Sequence, residues 1–283
     1  NRQQSGWDSC SVWGKIFPDG QEGLPAVRGL HPSIVAERLA KLGQKLLPDE
    51  FRYDKGRFTK QLQTVAQTAR PITRIPIRTP TFCPGCPHRD SASNLLEIIE
   101  DFKNPTYMRR RHGRDPVGLI CHGDTGCYTL LMFAPNEQLM HNYSGMGLGG
   151  GTGAGVDPFV TNKQLVFMGD STFFHSGQAA ISNSLFGKQD ITYIILDNHT
   201  TGMTGHQTHA GLGKDLLNNK TAEQDIEGIV RATLEPAGCL VVRANPHDRK
   251  RYRQVLERTI LHDGVKVIIA DRECSIVSNR RVN

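Results

Sequence analysis

The sequence lacks the marks of a membrane or secreted protein. No apolar run reaches the roughly 18 residues that a membrane span needs. The opening stretch, Asn1-Arg2-Gln3-Gln4-Ser5-Gly6-Trp7, holds no apolar core of the kind a signal peptide carries. It also lacks an initiator Met, which leads to the expectation of a piece of a longer polypeptide. Internal repeats and low-complexity segments are absent. There is no recognition helix, zinc finger or RNA-binding aromatic pattern, so nucleic acid is not expected despite a net charge of +6. The positive charge sits in local clusters, Arg109-Arg110-Arg111-His112-Gly113-Arg114, Arg249-Lys250-Arg251 and Arg280-Arg281, which read as solvated surface. Seven cysteines, an odd number without a secretion signal, argue against a disulfide framework. A cytoplasmic location is expected, where spaced cysteines more often mean metal or redox chemistry.

What is present fits a soluble globular chain: 37% hydrophobic and 22% charged over 283 residues, enough for one substantial core or one core plus an appendage. Residues 1–80 look unlike the rest and are expected to be a linker and the tail of a preceding domain. Within them Ile34, Val35, Leu39, Leu42 and Leu46 recur at helical spacing, which predicts a helix over residues 32–47, with Pro32 in its first turn and Pro48 beyond its end. Residues 70–80 hold three prolines and read as an extended linker or edge strand. From residue 81 helices alternate with short apolar strands: helices over 91–102 and 176–186, strands over 117–121, 164–168, 191–196, 240–244 and 265–270, and a basic helix between the last two. That alternation predicts an α/β domain over 81–283, a mostly parallel sheet with helices on both faces. Ligands in such sheets bind at the carboxyl ends of the strands.

Two of these strands end in metal-compatible groups, Gly169-Asp170-Ser171 and Asp197-Asn198-His199-Thr200. One helix can connect them, so both can lie in one sheet with Asp170 and Asn198 meeting at its carboxyl edge. Mg²⁺ takes oxygen ligands in an octahedron and often completes its shell with phosphate oxygens. A carboxylate, an amide oxygen and a loop carbonyl are suitable. Gly169 lets the backbone approach a phosphate, and Ser171 adds a hydroxyl at a helix start. The arrangement resembles the Gly-Asp-x to Asn signature of thiamine diphosphate enzymes. Carried over, Asp170, Asn198 and the carbonyl of Thr200 bind Mg²⁺. A rival exists: Gly145-Met146-Gly147-Leu148-Gly149-Gly150 satisfies GxGxxG, with Asp170 about where a ribose-binding acid would sit, which suggests a dinucleotide-binding oxidoreductase domain. Residues 136–143 make a poor buried strand for it, and Ser171-Thr172-Phe173-Phe174-His175-Ser176-Gly177 goes unexplained.

Cys83-Pro84-Gly85-Cys86 places two thiols on a tight turn. Alone, this fits a thioredoxin-like motif, half a zinc site or half an iron–sulfur site. No second Cys-x-x-Cys appears, which leaves a zinc ribbon poorly supported. Cys127 and Cys274 each follow a predicted strand and can complete a set of four. In order along the chain, Cys83-Pro84-Gly85-Cys86-Pro87-His88-Arg89, Gly123-Asp124-Thr125-Gly126-Cys127-Tyr128-Thr129-Leu130, Gly169-Asp170-Ser171-Thr172-Phe173-Phe174-His175-Ser176-Gly177, Asp197-Asn198-His199-Thr200-Thr201-Gly202-Met203-Thr204-Gly205-His206-Gln207 and Val267-Ile268-Ile269-Ala270-Asp271-Arg272-Glu273-Cys274 resemble the thiamine domain of indolepyruvate:ferredoxin oxidoreductase, within the 2-oxoacid:ferredoxin oxidoreductase superfamily. The match spans about residues 81–275.

The resemblance implies a [4Fe-4S] cluster on Cys83, Cys86, Cys127 and Cys274, with Cys121 as an alternate third ligand and Cys10 and Cys239 as ordinary thiols. It implies cofactor contacts from Gly123, Asp124, Thr125, Gly126, Met146, Gly147, Gly169, Asp170, Ser171, Asn198, Thr200, Gly202 and Met203. His175, just beyond the diphosphate loop, is the catalytic candidate; His199, His206 and His209 are weaker ones. The implied activity is thiamine diphosphate-dependent oxidative decarboxylation of a 2-oxo acid of the arylpyruvate or indolepyruvate kind to acyl-CoA, with coenzyme A as co-substrate and electrons passing to ferredoxin. A non-redox thiamine diphosphate-dependent 2-oxo acid decarboxylase or synthase subunit is the main alternative, and a scaffold that keeps the fold without cofactor is a third. The family draws its activating glutamate from a pyrimidine-binding domain, for which residues 1–80 have no room. A ferredoxin-like cysteine-rich tail does not follow Arg281. The chain is therefore expected to be inactive without a partner domain or subunit.

Overall fold

The computed structural model describes residues 13–26, 30–46, 54–68, 76 and 78–282. The chain divides into two compact units, Asn1–Ile77 and Arg78–Asn283. The first contains an antiparallel bridge between Ile16 and Glu22 and two helices that pack together, α1 (Pro32–Leu46) and α2 (Lys55–Thr68). α1 matches the expected helix up to Leu46; residue 47 and most of the proline-rich stretch 70–80 lie outside the described residues. The sequence reading missed α2, whose apolar positions are sparse.

The second unit runs α3 (Pro87–Lys103), α4 (Pro105–His112), β1 (Leu119–Gly123), β2 (Asn142–Tyr143), α5 (Gly149–Val156), β3 (Lys163–Gly169), α6 (Asp170–Thr172), α7 (Gln178–Phe186), β4 (Ile191–Asp197), α8 (Ile226–Leu234), β5 (Leu240–Ala244), α9 (Arg249–Ile260), β6 (Lys266–Asp271) and α10 (Ser275–Val282). The six strands form one all-parallel sheet in the order β2-β1-β3-β4-β6-β5. β3 and β4 are buried along their whole length, as strands covered on both faces must be. Alternate side chains supply two separate cores. Leu165, Phe167, Ile194, Leu196 and Ile268 pack with Leu95, Phe102, Tyr252 and Leu256 of α3 and α9. Val166, Met168, Tyr193, Ile195 and Val267 pack with Ile181, Val230 and Leu234 of α7 and α8. The expected α/β class with helices on both faces is therefore what forms.

Three differences bear on the site. The first strand lies at Leu119–Gly123 rather than 117–121, so Cys121 is mid-strand and Gly123 marks the strand end. The helix expected from residue 176 begins directly at Asp170 and passes through a π-turn over Phe173–Gly177. The glycine run forms a helix, α5: a Cβ on Gly150 would lie 2.5 Å from that of Ala180 and 2.9 Å from the Tyr193 ring. These glycines let α5 sit tight against the sheet and α7.

β1 and β3 are neighbours, but their chains leave in opposite directions, β1 towards β2 at one edge and β3 towards β4. Such a divergence opens a crevice at the carboxyl ends of the two strands.

Candidate cofactor and metal site

The crevice is lined by the loop after β1 (Thr125, Gly126, Cys127, Tyr128), the loop after β3 (Gly169, Asp170, Ser171) and the loop after β4 (Asn198, Thr200, Gly202, Met203). Asp170 is 1% exposed. Its Oδ1 accepts from the Ser171 amide (2.6 Å), and its Oδ2 accepts from the Thr200 amide (3.1 Å). His209 Nε2 also lies 3.2 Å from Oδ2. The Gly211 amide donates to His209 Nδ1, so the neutral ring carries its proton on Nε2 and donates it to Asp170. His209 stacks on Phe174 at 5.5 Å, which fixes the ring plane.

The side-chain oxygen of Asn198 faces only acceptors, 2.8 Å from the Thr200 carbonyl oxygen and 3.3 Å from Asp170 Oδ2. Turning the amide through 180° satisfies both of its ends, and a cation between the oxygens would satisfy the oxygen end. The spacing suits a cation: with Mg–O bonds of 2.0–2.1 Å, adjacent corners of an octahedron lie about 2.9 Å apart. The intervening residue, His199, adopts φ +58°, which turns the backbone so that the residues on either side point into the crevice.

Asp124 organises the opposite wall. Its carboxylate is fully buried, accepts from the Tyr128 hydroxyl at Oδ1, and accepts the Gly147 and Gly149 amides at Oδ2 (3.1 and 3.3 Å). Burial pushes its carboxyl up to about 6, against the opposing pull of those donors. The amides of the glycine run, which a dinucleotide site would offer to a diphosphate, are thus taken by a carboxylate of the protein. β2, the strand before the run, is only two residues long. Tyr128 also touches Thr172 Oγ1 at 3.0 Å, joining the β1 and β3 loops.

The thiols of Cys83, Cys86, Cys127 and Cys274 act on one another electrostatically. Burial raises Cys86 most, opposed by the amides of His88 and Arg89 and reinforced by Cys83 and Cys274. Burial likewise pushes Cys127 up to about 12, with Cys86, Cys274, Cys83 and Asp170 adding to it. Two backbone bonds hang the Cys274 segment on the oxygen site: Arg272 N–H to Asp197 O and Cys274 N–H to Asn198 O, each 3.0 Å. Ser275 Oγ donates to Pro84 O (3.0 Å), tying that segment to the Cys83–Cys86 turn. No three of the four sulfurs lie within 4.8 Å of one another. A single tetrahedral zinc would need sulfurs about 3.8 Å apart, given Zn–S bonds of 2.3 Å. Cys121 stands apart: it is fully buried in β1, and its thiol is pushed up to about 12 by burial alone. Cys239 packs against the core, and Cys10 lies outside the described residues.

Among the described residues, Asp197, His199 and Asp271 form the one compact group of metal-type ligands. Arg243 already engages it, 2.7 Å from Asp271 Oδ2 and 3.5 Å from Asp197 Oδ2, while His199 Nε2 lies 2.6 Å from Asp271 Oδ1. The Asp271 hydrogen bond raises the His199 imidazole. This is a charge-balanced latch between the ends of β4, β5 and β6.

Met146, Gly202 and Met203 line the crevice, as do Thr125, Gly126, Gly169, Ser171 and the three Mg²⁺ candidates, whereas Gly123, Asp124 and Gly147 sit behind its wall. His175 is exposed on the π-turn, with Nδ1 2.9 Å from its neighbour Ser176 Oγ, and is not part of the lining. Sequence reasoning gave no role to Tyr128 or to His88, a lining residue that is 4% exposed. Burial lowers the His88 imidazole to about 4, although Asp170 favours its protonation. Its place two residues after a cysteine turn was the available signal.

The family described as "Thiamine pyrophosphate enzyme, C-terminal TPP binding domain" matches residues 124–270, more than half of the chain. The "Indolepyruvate oxidoreductase subunit IorA" of Archaeoglobus fulgidus is 33% identical over 76% of this chain and 32% of its own length. The subunit of the same name from Methanothermobacter thermautotrophicus is 33% identical over 82% of this chain and 36% of its own. The chain thus spans about a third of the length of these relatives. Among solved structures, the fold is similar to that of a 2-oxoglutarate:ferredoxin oxidoreductase from Magnetococcus marinus, with a TM-score of 0.52 and 15% identity over 71% of this chain and 66% of that one.

Proposed function

From the premise that this chain belongs to the thiamine pyrophosphate enzyme family through its C-terminal TPP binding domain, we propose that it holds Mg²⁺ and the diphosphate of thiamine diphosphate at the carboxyl ends of β3 and β4. The observation that carries this reading is the convergence of the Asp170 carboxylate, the Asn198 side-chain amide and the Thr200 carbonyl in one crevice at the strand ends. Asp170, Asn198 and the Thr200 carbonyl would hold Mg²⁺, with phosphate oxygens completing its shell. Ser171 and the amides at the start of α6 suit an anion. Gly169 and Gly202 keep the walls low, and Met146 and Met203 exclude water beside the cofactor. Asp124 and Tyr128 hold the β1 loop in place. When bound, thiamine diphosphate supplies the electron sink that allows a 2-oxo acid to lose CO₂.

The finer reading is oxidative. Cys83, Cys86, Cys127 and Cys274 would hold a [4Fe-4S] cluster, whose chemistry is single-electron transfer. Support comes from the placement of Cys83, Cys86 and Cys274 within electrostatic reach of Cys127, a spacing too wide for one zinc, and the two backbone bonds joining the Cys274 segment to the oxygen site. Oxidation of a 2-oxo acid to acyl-CoA and CO₂ releases two electrons, which leave singly for ferredoxin. The names of the relatives favour an arylpyruvate or indolepyruvate substrate. The activating glutamate would come from a pyrimidine-binding domain or subunit, so the chain alone is inactive. Iron and sulfide analysis of anaerobically prepared protein, with its visible spectrum near ~400 nm, tests this. Four irons per chain are expected. A colourless, iron-free protein that still binds thiamine diphosphate would favour the non-redox decarboxylase or synthase reading.

A further inference from the structure

His88 is the one buried group in the crevice that the site described above leaves unused. It stands at the second position of α3, just past the Cys83–Cys86 turn, and is 4% exposed. Its backbone amide faces Cys86 sulfur, while its side chain joins Asp170, Ser171, Asn198 and Thr200 in lining the crevice. The ring is placed with care. Arg89 Nη2 donates to the Phe82 carbonyl, and the Phe82 ring meets the imidazole edge-on at 6.4 Å and 81°. Yet the ring nitrogens take no hydrogen bond from any described residue. A neutral imidazole carries one N–H donor and one acceptor, and a ring that lines the crevice can present either to a ligand there. The buried carboxylate and phenol beside it are engaged: Asp170 by Ser171, Thr200 and His209, and Tyr128 by Asp124 and Thr172. A fixed, buried N–H donor beside a cluster of oxygens is matched by a ligand that brings acceptor oxygens of its own.

We infer that His88 donates a hydrogen bond to a diphosphate oxygen of the bound cofactor. This rests on the thiamine diphosphate reading and deepens it. It makes the residue after the cysteine turn a binding group for the phosphate end, so one short segment serves the thiol cluster with its backbone and the cofactor with its side chain. Two alternatives fit less well. Aromatic packing alone does not require an imidazole. A structural hydrogen bond would show a protein acceptor, and none of the described residues supplies one.

The test uses the full-length polypeptide together with its partner subunits, prepared anaerobically. Calorimetric titration with Mg²⁺–thiamine diphosphate, and separately with Mg²⁺ and inorganic pyrophosphate, compares wild type with His88→Ala, His88→Asn and His88→Gln. Loss of a hydrogen bond to a charged acceptor predicts weakening of both ligands by about tenfold to a hundredfold in His88→Ala. Asn places its amide nitrogen near imidazole Nδ1 and Gln near Nε2, so one of the two is expected to regain most of the affinity. The ³¹P resonances of bound thiamine diphosphate are expected to move in His88→Ala and return in the restored variant. Binding by His88→Ala within threefold of wild type, or a loss that neither amide variant reverses, overturns the proposal. Failure of wild type itself to bind Mg²⁺–thiamine diphosphate would instead sink the cofactor reading beneath it.

Discussion

The two ends of the sheet both bury charge, and they settle it differently. At the amino end, Lys266 is fully buried with its ammonium on Asp190, and Lys163 joins Asp190 and Asp263, the latter at 2.6 Å. The His262 carbonyl takes a further bond from Lys163 at 3.3 Å. Each cation there has its anion within the protein. At the carboxyl end, oxygens of Asp170, Asn198 and Thr200 converge, four thiols face the same region, and no described residue hydrogen-bonds the His88 imidazole that lines the crevice. The first arrangement is complete as folded. On the proposed function the second is completed by cations and an anion from outside. A cluster of polar groups left open together at strand carboxyl ends marks a candidate site, whereas isolated unpartnered atoms such as Gln189 Oε1 and Thr192 Oγ1 near the amino end do not.

Mutations at the two ends should therefore have different consequences. Asp170→Ala is expected to weaken Mg²⁺-dependent thiamine diphosphate binding by more than about a hundredfold, beyond the roughly 10- to 100-fold cost of losing a group that merely supports a ligand. Calorimetry reads this, and the melting temperature of the cofactor-free protein should fall less than in Asp190→Ala. Asp190→Ala should do the reverse. It leaves the fully buried Lys266 unpaired, at a cost of about 3 kcal/mol in denaturant unfolding, while cofactor affinity of the folded fraction stays the same. A cofactor defect in that variant would break the comparison.

Asp124 sharpens the contrast through pH. Its folded value is raised to about 6 from an ordinary 3.8, so the folded protein binds its proton more tightly than the unfolded chain. The stability this gives is present below pH ~4 and is lost as pH rises through about 6, a swing of about 3 kcal/mol. Thermal melts across pH 4–7 should show that decline in wild type and a flatter profile in Asp124→Asn. The smallest effect is expected at His209, whose ring only steadies Asp170. His209→Ala should weaken Mg²⁺ affinity about tenfold, and His209→Gln, which keeps a donor, less. An equal loss in both variants would assign the effect to the stack on Phe174.

Much of the sheet was legible because strands buried on both faces read as unbroken apolar runs. β3, β4 and β5 lie where those runs predict them, and the Gly-Asp and Asp-Asn pairs fall at strand ends as expected. Elements held by packing rather than pattern were not legible. α5 is a helix made mostly of glycine, which no propensity argument favours. It exists because its bare backbone can approach Val166, Ile191 and Tyr193. α4 carries Arg109, Arg110, Arg111 and His112, an apparent surface cluster, and is fixed instead by its Asn104 cap and buried Met108. Within the site, the partners of Asp124 and Asp170 lie 23 and 39 residues away, at Gly147 and His209, beyond any local pattern. The π-turn puts His175 on the surface, a consequence of backbone geometry that residue spacing does not encode.

The central claim is that the carboxyl edge of β3 and β4 is a cation-dependent diphosphate site. Titration of the full-length protein with thiamine diphosphate, once with Mg²⁺ and once with a chelator, tests it most directly. The oxygen triad predicts one binding event per chain with Mg²⁺ and none measurable without it. Binding of equal strength in both conditions would contradict the account.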